Sequence, residues 1–301
     1  MKNVDLPIID AHHHFWDPTV NYHPWLNDEL PIPFRYGDYS SLRQPYMPAQ
    51  YLRDTGHHRV LKSVYVETEW DPSDPLGEVD WIEQVHAEHD FPHAVVAQAW
   101  LDREDVAEVL SQLGGRALVR SIRQKPAASA SRAEALRGQA GSMDDSRWRD
   151  GFALLQTHGL MFDLQTPWWH FAAALELAND FPNATIILNH CGLPSDRSDA
   201  GLDGWHQAMA MLAAAPNVMV KISGIGRAGK PWTVADNAWI VTETIAMFGA
   251  SRCMFASNFP VDGLCAPFAT IFDGFKAIVA DMDGATQGAL FYDNAARIYD
   301  I

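Results

Sequence analysis

Cysteine is scarce in this chain of 301 residues, and so is positive charge. Its three cysteines, Cys191, Cys253 and Cys265, are an odd number without C-x-x-C spacing, which excludes a zinc ribbon or a disulfide framework and fits a reducing compartment. Lys and Arg number 22 against 38 Asp and Glu, a formal charge of −16, so nucleic acid and anionic membrane surfaces are repelled. An anionic small molecule would need a basic group placed locally inside a site. No apolar run reaches the roughly 18 residues of a membrane helix, and the first residues lack an apolar leader, so a cytoplasmic protein is expected. G-x-G-x-x-G is missing after the first apolar run, which argues against an open dinucleotide-binding sheet. Low-complexity segments and internal repeats are missing too. These absences leave a small-molecule substrate as the expected partner, with room for a homodimer.

What is present begins with Ile8-Ile9-Asp10-Ala11-His12-His13-His14-Phe15-Trp16-Asp17. On a strand, His12 and His14 share one face and His13 takes the other. Two imidazoles on one face are a clamp for a single divalent cation, and neutral imidazole is the commonest zinc ligand. A fortuitous cluster in a surface turn or the remnant of a purification tag is the alternative, and apolar Ile8, Ile9 and Ala11 just upstream argue against a tag. After them, residues 15–48 form a connection rich in Pro and aromatics. A loop longer than about 15 residues in a compact domain is usually functional or disordered; this composition reads as a packed cover over the site or as an insertion that merely caps the barrel.

From there the chain alternates between β-branched runs and amphipathic helical patterns. Strands are expected at residues 60–68, 94–101, 117–123, 160–165, 184–190, 217–223 and 252–258. Helices are expected at 78–89, 104–113, 147–158, 168–180, 205–214 and 236–248. With the histidine strand this makes eight βα units, which predicts one α/β domain over residues 1–301, a closed (β/α)8 barrel with residues 15–48 over its C-terminal mouth.

Active sites of such barrels lie at the C-terminal strand ends, so polar residues there can be sorted by parity. Glu67 shares a face with Tyr65, opposite Val64 and Val66, and is assigned to the lumen on the ground that the valines suit the helix side. Gln98 and Trp100 pair in the third strand, Ser121 and Arg123 in the fourth, Asp163 and Gln165 in the fifth, Lys221 and Ser223 in the seventh; His190 ends the sixth. Any one of these charges could belong to a structural ion pair. Their convergence at one end, with two or three histidines, favours a site, because burying so many charges costs desolvation energy that a structural core avoids. Histidines 57, 58, 86, 89, 93, 158, 170 and 206 lie in or beside helical segments and read as solvated.

Asp10-Ala11-His12-x-His14-Phe15-Trp16-Asp17, Phe162-Asp163-Leu164-Gln165, Leu188-Asn189-His190-Cys191-Gly192, Val220-Lys221-Ile222-Ser223-Gly224, Phe255-Ala256-Ser257-Asn258-Phe259-Pro260-Val261 and the closing Asn294-Ala295-x-Arg297-x-Tyr299 together resemble the amidohydrolase-2 family, nearest its lactonase branch. That resemblance implies a hydrolase opening a sugar-acid or dicarboxylate lactone by attack of water, with a divalent metal such as zinc on His12, His14 and His190. A metal-free variant, a non-oxidative decarboxylase and an inactive ligand-binding homologue stay open. Arg123, Asp163, Gln165, Lys221 and Trp100 are then expected at the substrate. The departure is Asn258, where the family usually has the aspartate that helps hold metal and accepts the proton of water. An amide cannot accept that proton. Either the base lies elsewhere, with Asp262, Glu67 and Asp163 as candidates, or metal is bound weakly or not at all, or Asn258 is an inactivating substitution. The continuous Phe259-Pro260-Val261-Asp262 favours a natural variant with its base at Asp262.

Overall fold

A computed structural model describes residues 6–301, so the start in which no apolar leader was read lies in part outside the described residues. Eight parallel strands follow one another in sequence order: β1 (Ile8–His13), β2 (Val60–Val66), β3 (Ala94–Gln98), β4 (Val119–Arg123), β5 (Met161–Leu164), β6 (Ile186–Leu188), β7 (Val218–Ile222) and β8 (Cys253–Phe255). The seam between β8 and β1 closes at the mouth, where the Asn258 amide donates to His12 O at 2.7 Å and the His14 amide to Phe259 O at 2.7 Å. Asp10 ties the same seam, accepting from Ser257 N, Ser257 Oγ and Tyr51 Oη. The fold is the expected (β/α)8 barrel.

Helix α1 (Pro24–Asn27) lies within the long first connection and α2 (Pro48–Asp54) ends it. The outer layer is α3 (Gly77–His89), α4 (Val106–Gly114), α5 (Ser146–Thr157), α6 (Phe171–Asp180), α7 (Asp199–Leu212), α8 (Val234–Phe248) and α9 (Phe268–Ile278), followed by α10 (Gly284–Gly288) and α11 (Asn294–Tyr299). Helix α7 starts six residues before the expected 205, because Ser198 caps it by accepting from Gly201 N. Its glycines mask the helical pattern for a packing reason: a Cβ at Gly204 would lie 2.5 Å from the Trp168 ring. No described helix is long and apolar enough to cross a membrane.

Two apolar clusters divide the barrel wall. Tyr65, Val95, Ile122, Phe162, Leu188, Val220 and Phe255 pack outward under the helices. Ile9, Ala11, Val64, Val66, Val96, Ile187 and Met254 fill the lumen with Ala295 and Tyr299 of α11. This reverses the expected parity of β2: its valines face the lumen, and Tyr65 faces α3 through Glu78. Glu67 still reaches the mouth, because β2 ends at Val66 and the alternation ends with it.

Candidate active site

The histidines of β1 gather because the strand is bulged. Asp10 pairs with Ser63 and His13 with Tyr65, so β1 holds one residue more than β2 over that interval. His12 and His14 both turn inward, their ring centroids 5.0 Å apart, and His190 brings a third imidazole 4.6 Å from His12. His13 points the other way, against Tyr51 and the Ser63 hydroxyl. His190 and Asn258 both occupy left-handed backbone, at φ 56° and 55°, as site residues held against local preference often do. Gly224 makes room for the third imidazole: a Cβ there would lie 2.6 Å from the His190 ring.

Each imidazole leaves a nitrogen without a hydrogen to give. His14 Nδ1 sits 2.8 Å from Val66 O, which only accepts, so Nδ1 carries the proton and Nε2 is a lone pair. That lone pair faces Asn258 Oδ1 at 3.3 Å. The amide is oriented by its other end, since Nδ2 donates to Asp262 Oδ1 at 2.6 Å. His190 engages Ser223 Oγ through Nδ1 at 2.9 Å. His12 has no partner on either ring nitrogen, although it is fully buried. Burial above all holds all three well below the usual histidine range, with neighbouring positive groups adding to it, so they are neutral at physiological pH. An orphaned imidazole, and two acceptors facing one another, are satisfied together by a cation; the donor set suits a borderline metal such as zinc.

A tighter group, His57, His58 and Asp273, has its ligand atoms within 4.8 Å of one another, but before β2, at the far end of the barrel. There His58 Nδ1 meets Lys276 Nζ at 3.0 Å, so the proton lies on Nε2, which faces Ala269 O. An N–H and an ammonium make this a structural cluster. His58 here, and His170 against Ser129, are buried rather than solvated.

A cavity of about 280 Å³ opens on His14 and His190. His14, His190, Asn258, Glu67, Arg123 and Gln165 border it from the strand ends, and Trp16, Trp25, Phe34 and Arg35 from the long connection. Its floor is tied by Arg123, whose Nε donates to Glu67 Oε1 at 2.5 Å, Nη2 to Glu67 O at 2.7 Å and Nη1 to Gln165 Oε1 at 3.0 Å. Lys125 at the rim pairs with Glu69. Arg35 and Lys125 were missed: Arg35 lies in a connection with no periodicity, and Lys125 past the end of its strand.

Four expected site residues are placed differently. Asp163 and Lys221 do not reach the cavity; they form a sealed ion pair on the lumenal level of Ile187 and Met254, their register partners. Trp100 lies past the end of β3, beside Arg103, in a neighbouring groove. Asp262 is buried behind Asn258, where Oδ1 accepts from Asn258 Nδ2 and Tyr36 Oη, and Oδ2 from Gly224 N. Glu67 borders the cavity, yet Oε1 is held by Arg123 and Oε2 accepts from Glu69 N. The three carboxylates expected as bases are therefore committed to protein donors, Asp163 to Lys221, Asn189 and Tyr299. Each of their oxygens already accepts from a protein donor, whereas no protein donor takes the lone pair of His14 Nε2 or of His12.

A barrel whose mouth gathers neutral imidazoles, an amide and an arginine in a small cavity has the architecture of an enzyme. The chain belongs to the amidohydrolase family, whose model matches residues 9–301, and is by class a hydrolase. An uncharacterised protein of Sinorhizobium fredii is 39% identical over 297 residues, 99% of each chain. An L-fucono-1,5-lactonase of Burkholderia ambifaria is 28% identical over 270 residues, 86% of this chain and 82% of its own. A zinc-bound amidohydrolase crystal structure from Burkholderia multivorans superposes with a TM-score of 0.81 at 22% identity, covering 98% of this chain and 99% of that one.

Proposed function

We propose that this enzyme opens a small lactone, of a sugar acid or a dicarboxylate, by attack of water on the ring ester. The observation that carries the reading is the set of three clustered neutral imidazoles, His14 and His190 bordering the cavity and His12 unpartnered beside them, where the nearby carboxylates all accept from protein donors. The named activity of the Burkholderia ambifaria relative supports the lactone class.

His12, His14 and the Asn258 amide oxygen would hold a divalent cation, and the chemistry it would supply is polarisation of the ester carbonyl and acidification of water. The chain's own residues do the rest. His190, oriented by Ser223, accepts the proton of the attacking water as the water oxygen bonds to the carbonyl carbon. The ring C–O bond then breaks, and the leaving alkoxide takes that proton from His190, giving a hydroxy acid. Arg123, fixed by Glu67 and Gln165, presents its remaining N–H groups to a carboxylate or hydroxyl of the substrate. Trp16, Trp25 and Phe34 exclude bulk water.

The test is acid release in a pH-stat from L-fucono-1,5-lactone and a panel of sugar-acid and dicarboxylate lactones. Stoichiometric acid, lost in His190→Ala, is expected. Carbon dioxide from an aromatic acid, or thermal stabilisation by a lactone without turnover, would replace this reading with a decarboxylase or a binding protein.

A further inference from the structure

We propose that Asp262 is a positioning residue that acts through Asn258, fixing which end of its amide faces the reaction. The two ends of an asparagine amide are nearly the same size, so packing cannot choose between them; a hydrogen-bond partner must. Asp262 supplies that choice. Its carboxylate only accepts, so the Asn258 NH2 turns to it, at 2.6 Å, and Oδ1 turns to His14, at 3.3 Å.

Asp262 is itself held in place. Gly224 N donates to Oδ2 at 3.0 Å and Tyr36 Oη to Oδ1 at 2.9 Å, with Arg35 at 3.4 Å, and only 1% of the residue is exposed. Bonds to a buried carboxylate are the stronger kind, and Tyr36 and Arg35 come from the long connection over the mouth. One network thus joins that connection, the β7 turn and Asn258. Asp262 does not border the cavity, so its influence passes through the amide: it keeps an oxygen, not an N–H, beside the His14 lone pair. This rests on the reading that Asn258 and the histidines border the reacting carbonyl.

The hydrogen-bond logic predicts an inversion and its repair. In Asp262→Asn the new amide keeps its oxygen on Gly224 N and turns its NH2 towards Asn258, which flips and points its own NH2 at His14. Tyr36 Oη can turn to accept the second N–H of the new amide, and only the long contact with Arg35 is lost, so the fold should hold while the site is inverted. In Asn258→Asp two carboxylates meet at hydrogen-bond distance and repel. In the exchange Asn258→Asp/Asp262→Asn, the NH2 at 262 donates to the carboxylate at 258, and an oxygen faces His14 again.

The experiment compares wild type, both single variants and the exchange by melting temperature, kcat and KM on the best lactone of the panel, and the 15N shift of His14 Nε2. For Asp262→Asn, a melting temperature within a few degrees of wild type, KM within about threefold and a kcat lowered about tenfold or more are expected, the size of one misdirected polar group. The exchange should restore most of kcat and return the His14 shift towards its wild-type value. Wild-type kcat in Asp262→Asn, or an exchange no better than that variant, overturns the proposal. If the single variants do not fold, a soluble, active exchange supports it and an unfolded one overturns it. If wild type opens no lactone, the function reading fails, and the His14 shift still tests the positioning.

Discussion

Lys221 places its ammonium 2.5 Å from Asp163 Oδ1, and neither side chain has any exposed surface. Burial pulls the lysine below its usual range and Asp163 opposes that. Breaking such a pair strands a charge in a low-dielectric interior, at about 3–5 kcal/mol. Lys221→Met and Asp163→Leu should each lower the unfolding free energy in urea by an amount of that order, while the double variant falls well short of their sum, because it strands no charge. Additive losses would show that the two groups do not act as a pair. Loss of activity at unchanged stability would return them to the substrate.

Much of this could be read from residue order. The shared face of His12 and His14, the eight βα units and the inward faces of β4, β5 and β7 all stand where periodicity puts them, but the bulge in β1 does not show in it. Parity failed in β2 because the lumen floor is itself apolar, built from Ile9, Ala11, Val64 and Val66, so an apolar face did not mean an outer face. It failed for Trp100 because alternation stops where a strand stops, at Gln98. Depth was invisible: Asp163 and Gln165 share a face, but the first is sealed and the second borders the cavity. Nor can spacing show whether a carboxylate four residues beyond Asn258 turns into the site or behind it, since that depends on Tyr36 and Gly224 from other elements.

His12 leads to a prediction in which stability and activity part company. Its two ring nitrogens are buried without partners, a penalty of about 1–3 kcal/mol for an unmade hydrogen bond. In metal-depleted buffer, His12→Leu should therefore be neutral or raise the unfolding free energy by up to about 1 kcal/mol. Turnover should disappear in the same variant. A loss of more than about 2 kcal/mol, the scale of a core truncation, would make His12 a packing residue.

The last prediction concerns acid. His13 is fully buried on the outer side of β1, bonded to Ser63 Oγ at 2.8 Å and stacked on Tyr51, and burial lowers it to about 3. In the unfolded chain it titrates at 6.5. Below that pH the unfolded state takes up a proton that the folded state refuses, so the stability contributed by neutral His13 is complete above pH 6.5 and drains as pH falls towards 3. The slope is about 1.4 kcal/mol per pH unit for one group. Other groups titrate over the same range, some with the opposite sign: Asp10 and Glu78, raised by burial to about 6 and about 7, stabilise the fold as pH falls through those values towards their unfolded 3.8 and 4.5, and burial raises Asp262 as well. Comparison with His13→Gln cancels them, since Gln can keep the bond to Ser63 without titrating. The variant should be the less stable protein at pH 7.5 and gain on wild type by about 1.4 kcal/mol for each unit below 6.5. A stability difference that stays flat from pH 7.5 to 4.5, in urea unfolding followed by tryptophan fluorescence, would mean that His13 takes up its proton in the folded state, and that its seat beside Tyr51 is more polar than its burial implies.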